Sequence, residues 1–226
     1  MTNVSSSLGE LGKRIEKAAG NVGRAPDEVS LVLVTKYTDT DRMAEAAAAG
    51  ALVFGENRVQ ELVAKKERLE ALGISVSWHF LGHLQRNKVK DIIGVVDLIQ
   101  SVDSIRLIER IEEKASAAGV TQRVLLQVNL SEDDERYGLR PGELAGVLGL
   151  CEGFGSVKVE GLMTMAPLAG PDVTRQYFRK TRVLAEELRA QEGQGLEVLS
   201  MGMSNDFEVA IEEGSTMVRV GTAVFG

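Results

Sequence analysis

Leu31-Val32-Leu33-Val34-Thr35-Lys36 is the stretch from which the rest of the chain can be read. A short unbroken run of Val, Leu and Thr between polar flanks reads as a β-strand buried on both faces, with Lys36 as its last residue. Alternation puts Val32, Val34 and Lys36 on one face and Leu31, Leu33 and Thr35 on the other. The Lys36 amine is therefore expected to leave the sheet from an apolar face. An ammonium buried without a partner is costly, and a lowered pKa would leave some of it neutral and able to condense with an aldehyde. The plainer role for Lys36 is a side chain that reaches solvent at the strand end.

On the amino-terminal side, Leu8, Leu11, Ile15 and Ala18 recur at helical spacing before Gly20, so an amphipathic helix precedes this strand. Downstream, Asp39 or Thr40 caps a helix running to Ala49, and Ala51 to Phe54 reads as a strand. Asn57 with Gln60 has the spacing of a capping box for a helix to about Leu72. Trp78 to Gly82 reads as a strand, and His83 to Lys88 opens a helix. Val95 to Gln100 is a strand, and Asp103 caps the helix bearing Ile105, Ile108 and Ile111. Val124 to Asn129 is a strand, Ser131 to Gly138 a polar loop, and Pro141 to Gly153 a helix. A strand over Val157 to Met165, a helix over Val173 to Gln191, a strand over Leu196 to Met201, a short helix over Asn205 to Glu213 and a strand over Met217 to Val220 follow.

Strands and helices alternating at roughly 25-residue intervals imply a parallel sheet, most economically a closed (β/α)8 barrel of the TIM type. No linker or composition shift divides the chain, so one domain over residues 1–226 is expected. No helix is expected after the last strand, and the amino-terminal helix fills that place in the outer ring.

Composition narrows the function classes. Hydrophobic residues at 44% and charged residues at 26% are ordinary for a globular protein. With 33 acidic against 26 basic residues the net charge is -7, which opposes generic binding to nucleic acid or anionic membranes. Cys151 is the only cysteine, which excludes an intrachain disulfide and fits a reducing compartment. Met1 to Lys17 lacks the apolar core of a signal peptide, and no run is long enough to span a bilayer, so a cytoplasmic protein is expected.

Functional groups of such a barrel gather at the carboxyl ends of the strands, with phosphates in the loops after the seventh and eighth. Ser200-Met201-Gly202-Met203-Ser204-Asn205 leads into amides at a helix amino terminus, although Asn205 and Glu208 also fit a capping box. On the last strand, Arg219 shares a face with Met217 and Gly221. Barrel closure sets this strand beside the first, so Arg219 and Lys36 would project into one interior, where two cations need an anion between them. A phosphorylated aldehyde satisfies both, with Lys36 as an imine and the phosphate on Ser200, Ser204, Gly221 and Thr222. Taken singly, His79 and His83 read as structural, and no ligand spacing suggests a metal. Met163, Met165, Met201 and Met203 are expected to pack the barrel interior and the edge of that ligand, and Arg86, Lys88 and Lys90 to form a solvated basic turn.

Six segments in order carry a family resemblance across almost the whole chain. They are Val34-Thr35-Lys36, Phe54-Gly55-Glu56-Asn57, His79 through Lys88, Gly161 through Met165, Ser200 through Ser204, and Val218 through Thr222. Together they resemble the YggS/PROSC pyridoxal phosphate homeostasis proteins. The resemblance implies pyridoxal 5'-phosphate on Lys36, in a barrel like the amino-terminal domain of alanine racemase. It implies Arg219 at the pyridine nitrogen, Ser200, Ser204, Gly221 and Thr222 on the phosphate, and Asn57 and His79 lining the pocket. One departure is Arg136-Tyr137-Gly138, where the family pattern has Lys-x-Gly.

A carboxylate at the ring nitrogen strengthens the cofactor as an electron sink, and an arginine works against this. Alanine racemase also takes a second base from an additional domain, and no such domain is expected here. The expectation is therefore a protein that binds and supplies pyridoxal phosphate without being an enzyme, probed transiently by apoenzymes and monomeric. Two alternatives stand beside it. One is an amino-acid racemase or related pyridoxal enzyme in which His79 or a water replaces the base; the other is a Schiff-base aldolase using Lys36 without cofactor.

Overall fold

The structure, a computed structural model, describes residues 3–131, 136–192 and 195–226. Residues 132–135, in the middle of the expected polar loop, lie outside the described residues, as do residues 1–2.

Eight parallel strands close into a barrel in chain order, each hydrogen-bonded to its neighbours in sequence and the last to the first. They are β1 (Ser30–Val34), β2 (Val53–Glu56), β3 (Ser77–Phe80), β4 (Leu98–Val102), β5 (Gln122–Val128), β6 (Val157–Thr164), β7 (Val198–Ser200) and β8 (Met217–Val220). Helices α2 (Thr40–Ala48), α3 (Val59–Ala71), α4 (Ile105–Ala118), α5 (Leu144–Cys151), α6 (Pro171–Glu192) and α7 (Phe207–Glu212) follow β1, β2, β4, β5, β6 and β7. Between β3 and β4 the expected helix is instead a six-residue 3-10 segment, Arg86–Asp91. α1 (Val4–Gly20) precedes β1, its first turn held by the Asn3 side chain accepting from the Ser5 amide at 2.9 Å. Its buried face, with Leu11, Ile15 and Ala18, packs against α7, α2 and a short α8 (Thr222–Phe225). The amino-terminal helix thus closes the outer ring as expected, while α8 is a turn of helix that the sequence reading omits.

Two apolar layers hold the barrel. Leu33, Phe54, Trp78, Ile99, Val124 and Leu162 face outward to the helices, whereas Val32, Leu98, Leu125, Met163 and Met217 fill the interior. Alternation along each strand sorts these sets, and burying a side chain of this size contributes roughly 1.5–3 kcal/mol. Strands β6 and β7 approach so closely that a Cβ on Gly161 would lie 1.8 Å from the Val198 carbonyl oxygen, so only glycine fits there.

Local expectations are corrected at four places. β1 stops at Val34, and Lys36 lies two residues beyond it in a turn closed by the Thr38 amide donating to the Thr35 carbonyl. Tyr37 in that turn has φ 63°, a left-handed conformation that a β-turn of this kind normally gives to glycine. Asn57 does not cap α3; the N-cap is Arg58, without a side-chain cap bond. Asp103 does not cap α4, because its carboxylate is 2.8 Å from His83 Nδ1 and the N-cap is Ser104. Asn205 does not cap α7 either, since Asp206 occupies that position.

Candidate functional site

At the carboxyl ends of the strands lies a cavity of about 530 Å³, within the range of small-molecule sites. Its wall draws Val34 from β1 and Lys36 from the turn beyond it, Asn57 from just after β2, Met163 from β6 and Met165 from just after it, Arg219 from β8, and Gly221 and Thr222 from the step between β8 and α8. Ser204, Asn205 and Asp206 come from the loop between β7 and α7. Lys36, Arg219, Asn57, Ser204, Gly221 and Thr222 therefore line one cavity.

The two cations differ in setting from what the strand pattern implies. Lys36 is exposed at the cavity mouth, because the turn after Val34 lifts it off the barrel face. Arg219 is 5% exposed and forms the floor. Its strand register places it beside Val32, with Met217 two residues below in the interior layer. The guanidinium donates to the Ser200 hydroxyl at 2.7 Å and to the Thr164 carbonyl oxygen at 2.9 Å. Both acceptors are neutral. Burial pushes Arg219 down to about 10, against the nearby Asp206 charge that raises it. Burial in turn raises the Asp206 carboxyl, which accepts from the Met203 amide at 2.6 Å.

Ser200 and His79 are not on the cavity wall. Ser200 is fully buried, its hydroxyl donating to Gln100 Oε1 at 2.6 Å while accepting from Arg219. His79 is 5% exposed and its Nδ1 is 2.9 Å from Gln100 Nε2. Burial lowers the His79 imidazole to about 4, so it is neutral near pH 7. Both side chains point into the barrel beneath the floor, where alternation along β3 and β7 directs them.

The mouth is held by a second buried network. Glu56, fully buried at the end of β2, accepts from the Thr35 hydroxyl at 2.8 Å and the Asn57 amide at 3.1 Å. Lys65 on α3 reaches the same carboxylate at 2.5 Å and donates to the Thr35 carbonyl oxygen at 2.8 Å. One ion pair thus ties down the residues preceding Lys36 and beside Asn57. Gly82 adds a steric constraint, because a Cβ there would lie 2.1 Å from the Asn57 carbonyl oxygen.

Sequence reasoning misses Gln100, Glu56, Lys65 and Asp206. Three have a signal in retrospect: Gln100 and Glu56 are polar residues inside or ending apolar strands. Lys65 sits mid-helix, nine residues after the acid that it pairs with. His83 stacks on Tyr137 with ring centroids 3.9 Å apart, away from the cavity wall. Met163 lines both interior and cavity, Met165 and Met203 are exposed at the mouth, and Met201 packs in the outer layer. Among the described residues no group of three or more His, Cys, Asp or Glu is placed to hold a metal ion. Among them, too, no helix is long and apolar enough to cross a membrane.

The donor set fits a small phosphorylated ligand with a group that reacts with amines. An amine stands at the mouth, a guanidinium bonded only to neutral acceptors forms the floor, and a hydroxyl and two short loop segments line the side. Comparison with known proteins follows the same line. Residues 8–226 match the family described as alanine racemase, N-terminal domain. The pyridoxal phosphate homeostasis protein of Aquifex aeolicus (strain VF5) is 41% identical over 225 residues, 99% of this chain and 98% of that protein. Its namesake in Escherichia coli (strain K12) is 34% identical over 229 residues, 100% of this chain and 97% of that protein. PipY of Synechococcus elongatus PCC7942, solved with PLP bound, superposes with a TM-score of 0.84 at 39% identity, covering 94% of this chain and 100% of that one. Full-length identity and shared architecture converge, and the chain belongs to the alanine racemase N-terminal domain family and, within it, to the pyridoxal phosphate homeostasis proteins.

Proposed function

We propose that this chain binds pyridoxal 5'-phosphate covalently through Lys36 and supplies it to other proteins without catalysing a reaction of its own. The observation that carries the reading is that Lys36, Arg219, Ser204, Gly221 and Thr222 line one cavity. The cofactor supplies an aldehyde that condenses with amines, with loss of water, and a ring that accepts electrons. Lys36 provides the amine from the exposed mouth, where exchange with another protein's amine needs no opening of the barrel. Arg219 donates to the ring nitrogen from the floor. Ser204, Gly221 and Thr222 hold the phosphate, and Asn57 borders the ring.

Two features favour supply over catalysis. The titratable side chains on the described cavity wall are Lys36, Asp206 and Arg219. Of these, Lys36 is committed to the covalent bond and Arg219 to donation. His79, the substitute base of the racemase alternative, sits below the floor and is neutral, with its Nδ1 taken by Gln100. An arginine at the ring nitrogen also disfavours the protonated ring on which carbanion chemistry depends. Transient meetings with apoenzymes by a monomer complete the reading, with neither nucleic acid nor membrane as partner, in keeping with the net charge of -7.

Reduction with borohydride after incubation with pyridoxal phosphate, followed by peptide mass spectrometry, is expected to find a pyridoxyl group on Lys36 and none in Lys36→Ala. Label elsewhere, or no label, overturns the covalent assignment. Exchange of amino-acid α-protons in deuterated water is expected to be no faster than with free cofactor; faster exchange establishes an enzyme. Trapping by a sugar phosphate instead would establish the cofactor-free aldolase.

A further inference from the structure

Behind the cavity floor runs a chain of four buried polar side chains, from Arg219 through Ser200 and Gln100 to His79. Its direction is fixed by what its ends can do. Arginine has only donors, so the Ser200 oxygen accepts from Arg219 at 2.7 Å and its proton goes to Gln100 Oε1 at 2.6 Å. The Gln100 amide nitrogen lies 3.1 Å from the Met217 sulfur, which has no proton to give. The Gln100 amide therefore cannot be turned over without placing its oxygen against that sulfur. Its remaining N–H points to His79 Nδ1 at 2.9 Å, which assigns the imidazole proton to Nε2. Every donation runs away from Arg219, and no member of the chain can return a proton to it.

We infer that Gln100 is a positioning residue which, through Ser200, fixes the plane of the Arg219 guanidinium so that its N–H groups stay aimed at the ring nitrogen of the bound ligand and keep it unprotonated. The inference rests on the pyridoxal phosphate reading above and adds to it the residue that fixes the electronic state of the ligand. The geometry gives two reasons. A guanidinium anchored through both terminal nitrogens, to Ser200 and to the Thr164 carbonyl, has a fixed plane, so its other N–H groups keep fixed directions. Gln100 is completely buried, so water does not replace its Oε1 as the acceptor of the Ser200 proton once the amide is removed, and the Ser200 hydroxyl loses its fixed orientation toward Arg219. A glutamine at this point also supplies an acceptor without a negative charge. A carboxylate in its place would neutralise Arg219 and make a proton on the ring nitrogen easier to keep.

The test loads wild type, Gln100→Leu, Ser200→Ala and the double variant with pyridoxal phosphate labelled with nitrogen-15 in the ring. The ring resonance and the apparent dissociation constant are then measured. Wild type is expected to give an unprotonated, hydrogen-bonded ring nitrogen. Each single variant is expected to move that resonance toward the protonated form and to weaken binding about tenfold, the scale of one hydrogen bond to a charged group. The double variant is expected to go no further than either single one, because both substitutions cut one chain. An unmoved resonance in variants that still hold the cofactor overturns the inference, and so do effects that add. If Gln100→Leu does not fold, Ser200→Ala, which deletes a single oxygen, decides alone. Wild type that takes up no pyridoxal phosphate overturns the underlying reading instead, an outcome distinguishable from the others before any variant is made.

Discussion

Lys65→Met is the substitution with the most to say about how the site is held. The ammonium it removes lies between the Glu56 carboxylate and the Thr35 carbonyl oxygen, at 2.5 and 2.8 Å, with its own side chain 14% exposed and that of Glu56 wholly buried. Met keeps most of the aliphatic stem, so packing along α3 changes little. What remains is a buried carboxylate whose donors are the Thr35 hydroxyl and the Asn57 amide. Breaking a buried pair from one side costs about 3–5 kcal/mol, and two surviving hydrogen bonds put this case at the lower end. The Thr35 carbonyl loses a donor as well, adding about 1 kcal/mol, for a total of roughly 3–4 kcal/mol. In a chain of this size that corresponds to a fall in Tm on the order of 10 °C. Urea unfolding followed by far-ultraviolet circular dichroism measures it, with an unchanged slope showing that the unfolded state is the same. Glu56→Leu combined with Lys65→Met is expected to recover at least half of the loss, since no charge is then left buried. A single variant within about 1 kcal/mol of wild type, or a double variant worse than the sum, refutes the account of this pair as the anchor of the Lys36 turn.

Other expected outcomes are simpler. Gly82→Ala should push the Asn57 backbone away, because the new methyl would lie 2.1 Å from its carbonyl oxygen, and should weaken cofactor binding at least tenfold in a fluorescence titration; binding equal to wild type would show that Asn57 has no part in the site. His79 is held at about 4 in the folded protein against 6.5 when unfolded, so the unfolded chain binds the extra proton between those values. Its contribution is intact above pH 6.5, is lost as pH falls toward 4, and amounts to about 3 kcal/mol. His79→Gln should flatten the stability profile over that window, and an unchanged slope would contradict a neutral, buried ring.

The barrel was legible because each strand announces itself by an apolar run and because alternation survives closure. Val32 and Arg219 were assigned to inward faces of the first and last strands, and they are register partners. Strand ends were harder to place. The strand read as ending at Gln100 continues through Ser101 to Val102, because its polar residues bond inside the protein rather than to water. Within the site, Lys36 and Arg219 stood out as charges at the ends of greasy strands. Gln100 did not, since its value comes from a hydroxyl exactly one hundred positions away in sequence. Asp103 was misread for a related reason: its spacing suits a helix cap, but His83 claims the carboxylate. Short-range patterns describe what a residue could bond locally, and tertiary neighbours decide what it does bond.

The methionine and aliphatic layer beneath Arg219 has one further consequence. Val32, Leu98, Leu125, Met163 and Met217 fill the barrel below the cavity, so the cavity is approached from the carboxyl ends of the strands. That approach runs past Lys36 and the exposed Leu168, Met165 and Met203. The floor residue and the mouth residue are thus served by one opening, so a substitution that narrows the mouth is felt by every group lining the cavity.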